Sequence, residues 1–222
     1  MRALSRRLAL KLMGVGSAWL GVGQTIGAAQ VTATATTVVG AWNKTPDRVW
    51  LSGDCWANPM EDWSIVDGAA ECQSTGGGRN IQLLTHELTN PAGSFEMSVE
   101  VTRSEIKRQD GGVGFRVGVR SEIGEYRSNC FARGGVNAGL IGGDLLLGRQ
   151  QVAIDGADKP EHLTLRLTGT PKGDDFVLVL TAVNAAGKEL GTLNQVVPAD
   201  TVLGNVALVN SRSEEHTSEL QS

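Results

Sequence analysis

Residues 111–148 read GGVGFRVGVRSEIGEYRSNCFARGGVNAGLIGGDLLLG. The first part alternates strictly. Val113, Phe115, Val117 and Val119 fall on one side of an extended chain, and Gly112, Gly114, Arg116, Gly118 and Arg120 on the other. Alternation with period two marks a β-strand with one buried face. The opposite face is bare backbone carrying two guanidinium groups, which would let another group come close. Arg116 and Arg120, with Tyr126 and Arg127 downstream, are therefore the candidate ligand-face residues.

Upstream, residues 94–102 alternate as cleanly, with Phe95, Met97, Val99 and Val101 set against Glu96, Ser98, Glu100 and Thr102. The polar loop 106–110 then predicts an antiparallel hairpin between this strand and the glycine-rich one. Placing Val101 opposite Phe115 and Val99 opposite Val117 aligns both apolar faces. The same register sets Glu100 against Arg116 and Glu96 against Arg120. Each such pair contributes about 0.2–1 kcal/mol, and a slip of one residue would turn the apolar set to the wrong face. The alternative use of the two arginines is an anion-binding groove.

Downstream, Leu163, Leu165 and Leu167 alternate with Thr164, Arg166 and Thr168. Residues 176–183 form a nearly continuous apolar run, which predicts a strand covered on both sides. Residues 169–174, GTPKGD, carry turn chemistry. Strands are expected over 190–197 and 205–209, and a single short helical turn over 199–203. Earlier in the chain, residues 62–73 read as two short strands joined at Asp67-Gly68, a strong hairpin dipeptide. Residues 81–88 form a further strand, in which His86 has no nearby partner of ligand type. Gly76-Gly77-Gly78 follows no apolar strand and opens no helix, so it reads as a turn and not as a phosphate loop. Many short strands divided by Gly and Pro, with no sustained helical period, give an all-β fold: an antiparallel β-sandwich or jelly roll.

Trp42, Trp50, Trp56 and Trp63 lie close together in sequence. Clustered indoles serve either as the apolar body of a core or as a stacking platform for sugars, and core is the expectation here. Cys55, Cys72 and Cys130 have neither metal-ligand nor redox spacing. In an oxidising compartment a Cys55–Cys72 bridge could close, leaving Cys130 over. Folding in a reducing cytosol would keep them as buried thiols instead.

The two ends read differently from the middle. Arg2, Arg6, Arg7 and Lys11 lead into a modest, glycine-rich apolar run that closes at Gly27-Ala28-Ala29. This is the pattern of a secretory signal over residues 1–29, too short for a stable membrane span. The hexad in SRRLALK, residues 5–11, resembles a twin-arginine export motif, departing in Ala9; the alternative is an ordinary Sec signal with two chance arginines. A periplasmic or extracellular destination follows from either. Residues 30–45 form a linker or a first edge strand, and residues 46–211 the sandwich domain. Residues 212–222, RSEEHTSELQS, resemble the in-frame translation of a sequencing-library adapter. The gene is then expected to run on past Ser211, leaving the sandwich truncated at its C-terminal end and the sheet edge beyond Val209 unpaired, an aggregation hazard. A net charge of −4 with no basic patch argues against nucleic acid, and against a membrane surface once the signal is gone.

The order Trp63, Asp67-Gly68, Phe95-x-Met97-x-Val99 and Gly112-Val113-Gly114-Phe115-Arg116 resembles that of concanavalin-type jelly rolls, including LamG-like and 3-keto-disaccharide-hydrolase-type domains. Over residues 46–211 a second resemblance rests on VWLSGDCWANPMEDWSIVDGAAEC, RNIQLLTHEL, FEMSVEV, GFRVGVRSEIGEYRSNC, GVNAGL and GNVALVN. These stretches are similar to the N-terminal module that precedes the catalytic domain in some exported PhoD-like alkaline phosphatases. That resemblance implies a non-catalytic module of a phosphoric ester hydrolase. It also implies iron and calcium in a catalytic domain outside this sequence, with that domain as the module's partner. No catalytic or metal-binding residue carries over; Gly53-Asp54-Cys55 and His86-Glu87 lack the partners a binuclear site demands.

The competing expectation is a carbohydrate-binding or glycan-processing jelly roll, supported by the tryptophans, Tyr126-Arg127 and the glycine-lined strand. Glu96 and Glu100 share a face, but paired arginines would hold both carboxyls low and unsuited to a general acid. Glycan and phosphate ester thus stand as alternative ligands, and a structural protein with no ligand is the third expectation.

Overall fold

The computed structural model describes residues 11–13, 42–51, 53–73, 78–102, 111–120, 134–154 and 162–212. Its strands are β1 (Lys11–Met13), β2 (Cys55–Asn58), β3 (Trp63–Val66), β4 (Ala69–Cys72), β5 (Arg79–Leu88), β6 (Phe95–Thr102), β7 (Gly111–Val119), β8 (Val136–Ile141), β9 (Asp144–Leu147), β10 (Gln150–Ala153), β11 (His162–Lys172), β12 (Asp175–Asn184), β13 (Glu189–Pro198) and β14 (Gly204–Arg212). One helical turn, α1 (Ala199–Val202), joins β13 to β14. All pairings are antiparallel and make a seven-stranded sheet in the order β10-β9-β8-β7-β14-β5-β2, a five-stranded sheet in the order β1-β6-β11-β12-β13, and the separate β3–β4 hairpin. The all-β expectation holds.

The core lies between the two large sheets. In the seven-stranded sheet one transverse row runs Ala57, Ile81, Leu208, Phe115, Ala138, Leu147 through successive partners. In the five-stranded sheet, Val99, Leu165 and Ala182 stand in register, as do Leu167 and Leu180. All of these side chains belong to one continuous buried cluster. Full burial of each larger member contributes about 1.5–3 kcal/mol. Phe95 and Phe176 meet with ring centroids 5.8 Å apart.

The β3–β4 hairpin turns at Asp67-Gly68 as expected, with both residues at positive φ. Trp63, Ile65, Ala70 and Cys72 of the hairpin are buried in the same cluster. Arg48 bridges to Ile65 through the backbone, and the Asp62–Arg79 ion pair, at 2.8 Å, ties the hairpin to β5. Cys55 is half-buried and Cys72 buried; both remain thiols, so the Cys55–Cys72 bridge is not formed. Cys130 lies outside the described residues, as do residues 14–41 and 74–77.

Several local expectations need correction. β6 and β7 are not a hairpin: β6 pairs with β11 and β1 in one sheet, β7 with β8 and β14 in the other. Period-two alternation specifies which face is buried but not which strand lies alongside, and both strands satisfy it from opposite walls of one core. β7 is buried on both faces from Gly112 to Val119, because it is an inner strand whose second face is also covered. β12 alternates after all: Phe176, Leu178, Leu180 and Ala182 are buried, while Val177, Val179 and Val183 are half-exposed. β11 continues through Pro171 to Lys172, so only Gly173 and Asp174 make the turn. β14 is no edge: it lies between β7 and β5, and Gly111 and Gly112 pair with Arg212 and Ser211. The edges of that sheet are β10 and β2.

Candidate functional site

The glycines of β7 face other backbone, not open space. Gly114 is paired with Gly139 of β8. A Cβ on either would overlap backbone atoms of the opposite strand. At Gly118 φ is +75°, and a Cβ there would overlap the Thr201 carbonyl oxygen. The bare face is thus needed so that β8 and α1 can close on β7. The register also shifts at this point, between Asn205 and Val206 of β14. Val119 then leaves the main core and joins Ala207 and Val209 in a small apolar cluster on the other face of the sheet.

Arg116 is buried, and its Nε donates to Gly134 O at 2.8 Å while Nη1 donates to Asn137 Oδ1 at 2.7 Å. Arg120 is exposed; its Nε donates to Leu203 O at 2.8 Å and its Nη2 to Asp200 O. These carbonyls belong to α1 and its C-cap, so Arg120 closes that turn as a cation at a helix C-terminus does. The expected facing of Glu100 with Arg116 and of Glu96 with Arg120 is not formed. Glu96 instead pairs with Arg166 of β11 at 3.4 Å. Tyr126 and Arg127 lie outside the described residues.

Sequence reading missed the face that these residues belong to. On the side of the seven-stranded sheet away from the core, one row runs Trp56, Gln82, Ala207, Arg116, Asn137. The next runs Asn58, Asn80, Val209, Gly114, Gly139, Leu146. Pairing brings together polar residues from β2, β5, β7 and β8 that lie far apart in the chain. The available signal was Asn80 and Gln82 alternating with Ile81 and Leu83, but their partners could not be named without the topology.

A cleft of about 750 Å³ lies where β7 to β9 meet the end of β13 and α1, lined from both faces of the seven-stranded sheet. Gly114, Arg116, Asn137 and Leu146 line it, with Gln195 and Thr201 from the corner between β13 and α1. Gln195 stands in the inward row with Leu178 and Gly169, and its Oε1 is buried with no hydrogen-bond partner. Asn80 is 0 % exposed, and neither Nδ2 nor Oδ1 has a partner. Buried carboxamides left this way cost about 1–3 kcal/mol per group.

The tryptophans divide. Trp42 and Trp63 are buried in the core, Trp56 is half-buried, and Trp50 is 67 % exposed. Arg48 donates from Nε to Trp50 O at 2.7 Å and from Nη2 to Leu51 O at 3.0 Å, which holds the segment bearing Trp50. His86 is exposed and contacts Thr85 Oγ1 at 2.9 Å. Among the described residues no three His, Cys, Asp or Glu side chains come together as a metal would require. No described helix is long and apolar enough to cross a membrane. Compared with known proteins, the chain matches no family model, no curated protein and no solved structure.

Proposed function

We propose that this chain is a non-catalytic β-sandwich module, of the concanavalin-like jelly-roll kind, of an exported PhoD-like phosphatase. In this reading phosphoryl chemistry belongs to another domain of the same polypeptide, and the module holds ligand near it. The observation that carries the reading is the engagement of both candidate arginines with the fold itself. A phosphoryl-transfer site needs cationic groups aimed at the phosphoryl oxygens. Arg116 is instead aimed at Gly134 O and Asn137 Oδ1, and Arg120 at Leu203 O and Asp200 O. Supporting it are the signal-like first 29 residues and the motifs over residues 46–211.

The test is the genomic sequence beyond the codon for Ser211. The proposal expects a reading frame that continues into a metallophosphatase domain. The longer product should hydrolyse p-nitrophenyl phosphate in a metal-dependent way, and the present chain should not. A stop codon directly after Ser211, or hydrolysis by this chain alone, overturns it. A second reading, an independent carbohydrate-binding domain, is favoured by the half-buried Trp56 in line with Gln82, Arg116 and Asn137. It expects no phosphatase domain downstream.

A further inference from the structure

We propose that the leader segment Lys11–Met13 is a removable edge strand: it covers the outer edge of β6 while the leader is attached, and processing after Ala29 opens that edge. This inference rests on the export reading of residues 1–29 and goes beyond it to an autoinhibitory contact within the fold. β1 lies antiparallel to β6, with Lys11 opposite Glu100, Leu12 opposite Val99 and Met13 opposite Ser98. It is the outermost strand of the five-stranded sheet, so among the described residues no other strand pairs with that side of β6. The segment that covers the sheet is therefore the one that export would remove.

The argument begins with what each sheet edge needs. An open edge offers unpaired N–H and C=O groups to any extended chain, and folds blunt such edges or cover them. Three edges here are blunt. β2 and β10 have four residues each. β13 shifts register against β12 and ends at Pro198, which has no amide to donate. β6 has none of these features: it is eight residues long, contains no proline, and pairs with β11 from Phe95 to Thr102 without a register shift. β1 sits on the middle of it, across Ser98 to Glu100. Charge favours the same register. On the β11 side Glu100 stands opposite Thr164, while Glu96 already pairs with Arg166 at 3.4 Å. On the β1 side Glu100 stands opposite Lys11, and opposite charges directly across a ladder stabilise the pair. The leader as a whole carries Arg2, Arg6, Arg7 and Lys11 and no acidic residue, so it suits an edge bearing two carboxylates.

The experiment is amide hydrogen exchange on the purified, unprocessed full chain. Successive amides of a strand within an antiparallel sheet point alternately to its two neighbours. The β6 amides turned away from β11 should be protected in the parent. In the double variant Leu12→Pro with Met13→Pro they should exchange at least tenfold faster, with the amides between β6 and β11 unchanged. A synthetic peptide of residues 5–16, added to that variant, should slow them again, and the same peptide carrying both prolines should not. Lys11→Glu should speed their exchange at least twofold at low salt, and adding Glu100→Lys should restore the parent rate. If the prolines loosen the whole sheet, seen as faster exchange in β12, the charge reversal and its rescue decide. Equal exchange in parent and proline variant overturns the inference, as does a charge reversal that Glu100→Lys fails to rescue. The processing step is read separately, from the N-terminus of the product exported by a bacterial host. A product beginning at Gln30 supports the opening of the edge, and one that keeps Lys11 overturns it. Exchange tests the docking and the N-terminus tests the export reading, so failure of one can be told from failure of the other.

Discussion

At Gly118 the chain adopts a positive φ, and the Thr201 carbonyl occupies the place where a side chain would begin. Gly118→Ala therefore meets both backbone strain and a clash with a neighbour that is itself backbone. We expect a loss of about 2 kcal/mol or more, read as a lower urea midpoint at constant slope. Gly53→Ala, with no atom near the added methyl, should stay within about 0.5 kcal/mol of the parent. The two arginines differ in the same way. Arg120 is exposed, so Arg120→Ala lets water reach the α1 carbonyls and should cost about 1 kcal/mol. Arg116 is buried, so Arg116→Met strands Gly134 O and Asn137 Oδ1 and should cost about 2–3 kcal/mol. Equal costs for the two would show that Arg116 is reached by solvent.

Between elements, strand partnership decides which charges couple. Glu96 of β6, opposite Thr168, reaches Arg166 diagonally only because β6 lies beside β11. A double-mutant cycle on Glu96 and Arg166 should give a coupling of about 0.2–1 kcal/mol, reduced by salt. The same cycle on Glu100 and Arg116, which belong to different sheets, should give none. A measurable coupling there would return β6 and β7 to a single hairpin. Phe115 tests the inner face of β7. It is fully buried in the row with Leu208 and Ala138, and Phe115→Ala should cost about 3–5 kcal/mol.

For the whole molecule the decisive strand is the last. β14 lies between β7 and β5, and its Leu208 packs in the main core. A chain ending at Leu203 would lose the strand joining the two halves of the seven-stranded sheet. It should show no cooperative urea transition and should aggregate through the exposed edges of β7 and β5. Retained cooperative unfolding in that truncation would mean that β7 and β5 can pair without β14. Amide exchange offers a second measure: the β14 amides should exchange with the slowest class, and those of β10 and β2 at the sheet edges sooner.

Local pattern, by itself, established that residues 95–101, 113–119 and 163–167 are strands, and which of their side chains enter a core. It also located the Asp67-Gly68 turn and the short helical turn near residue 199. These are properties of dihedral preference and alternation, written within a few neighbouring residues. Strand partnership was not legible, because any alternating strand presents an acceptable apolar face to any other. The predicted Glu100–Arg116 and Glu96–Arg120 pairs failed for that reason, and so did the expectation of an unpaired sheet edge beyond Val209. Of the candidate site only Arg116 was named from sequence, on the same ground. Trp56, Asn80, Gln82, Arg116 and Asn137 come from four strands, and only long-range antiparallel pairing lines them up on one side of a sheet.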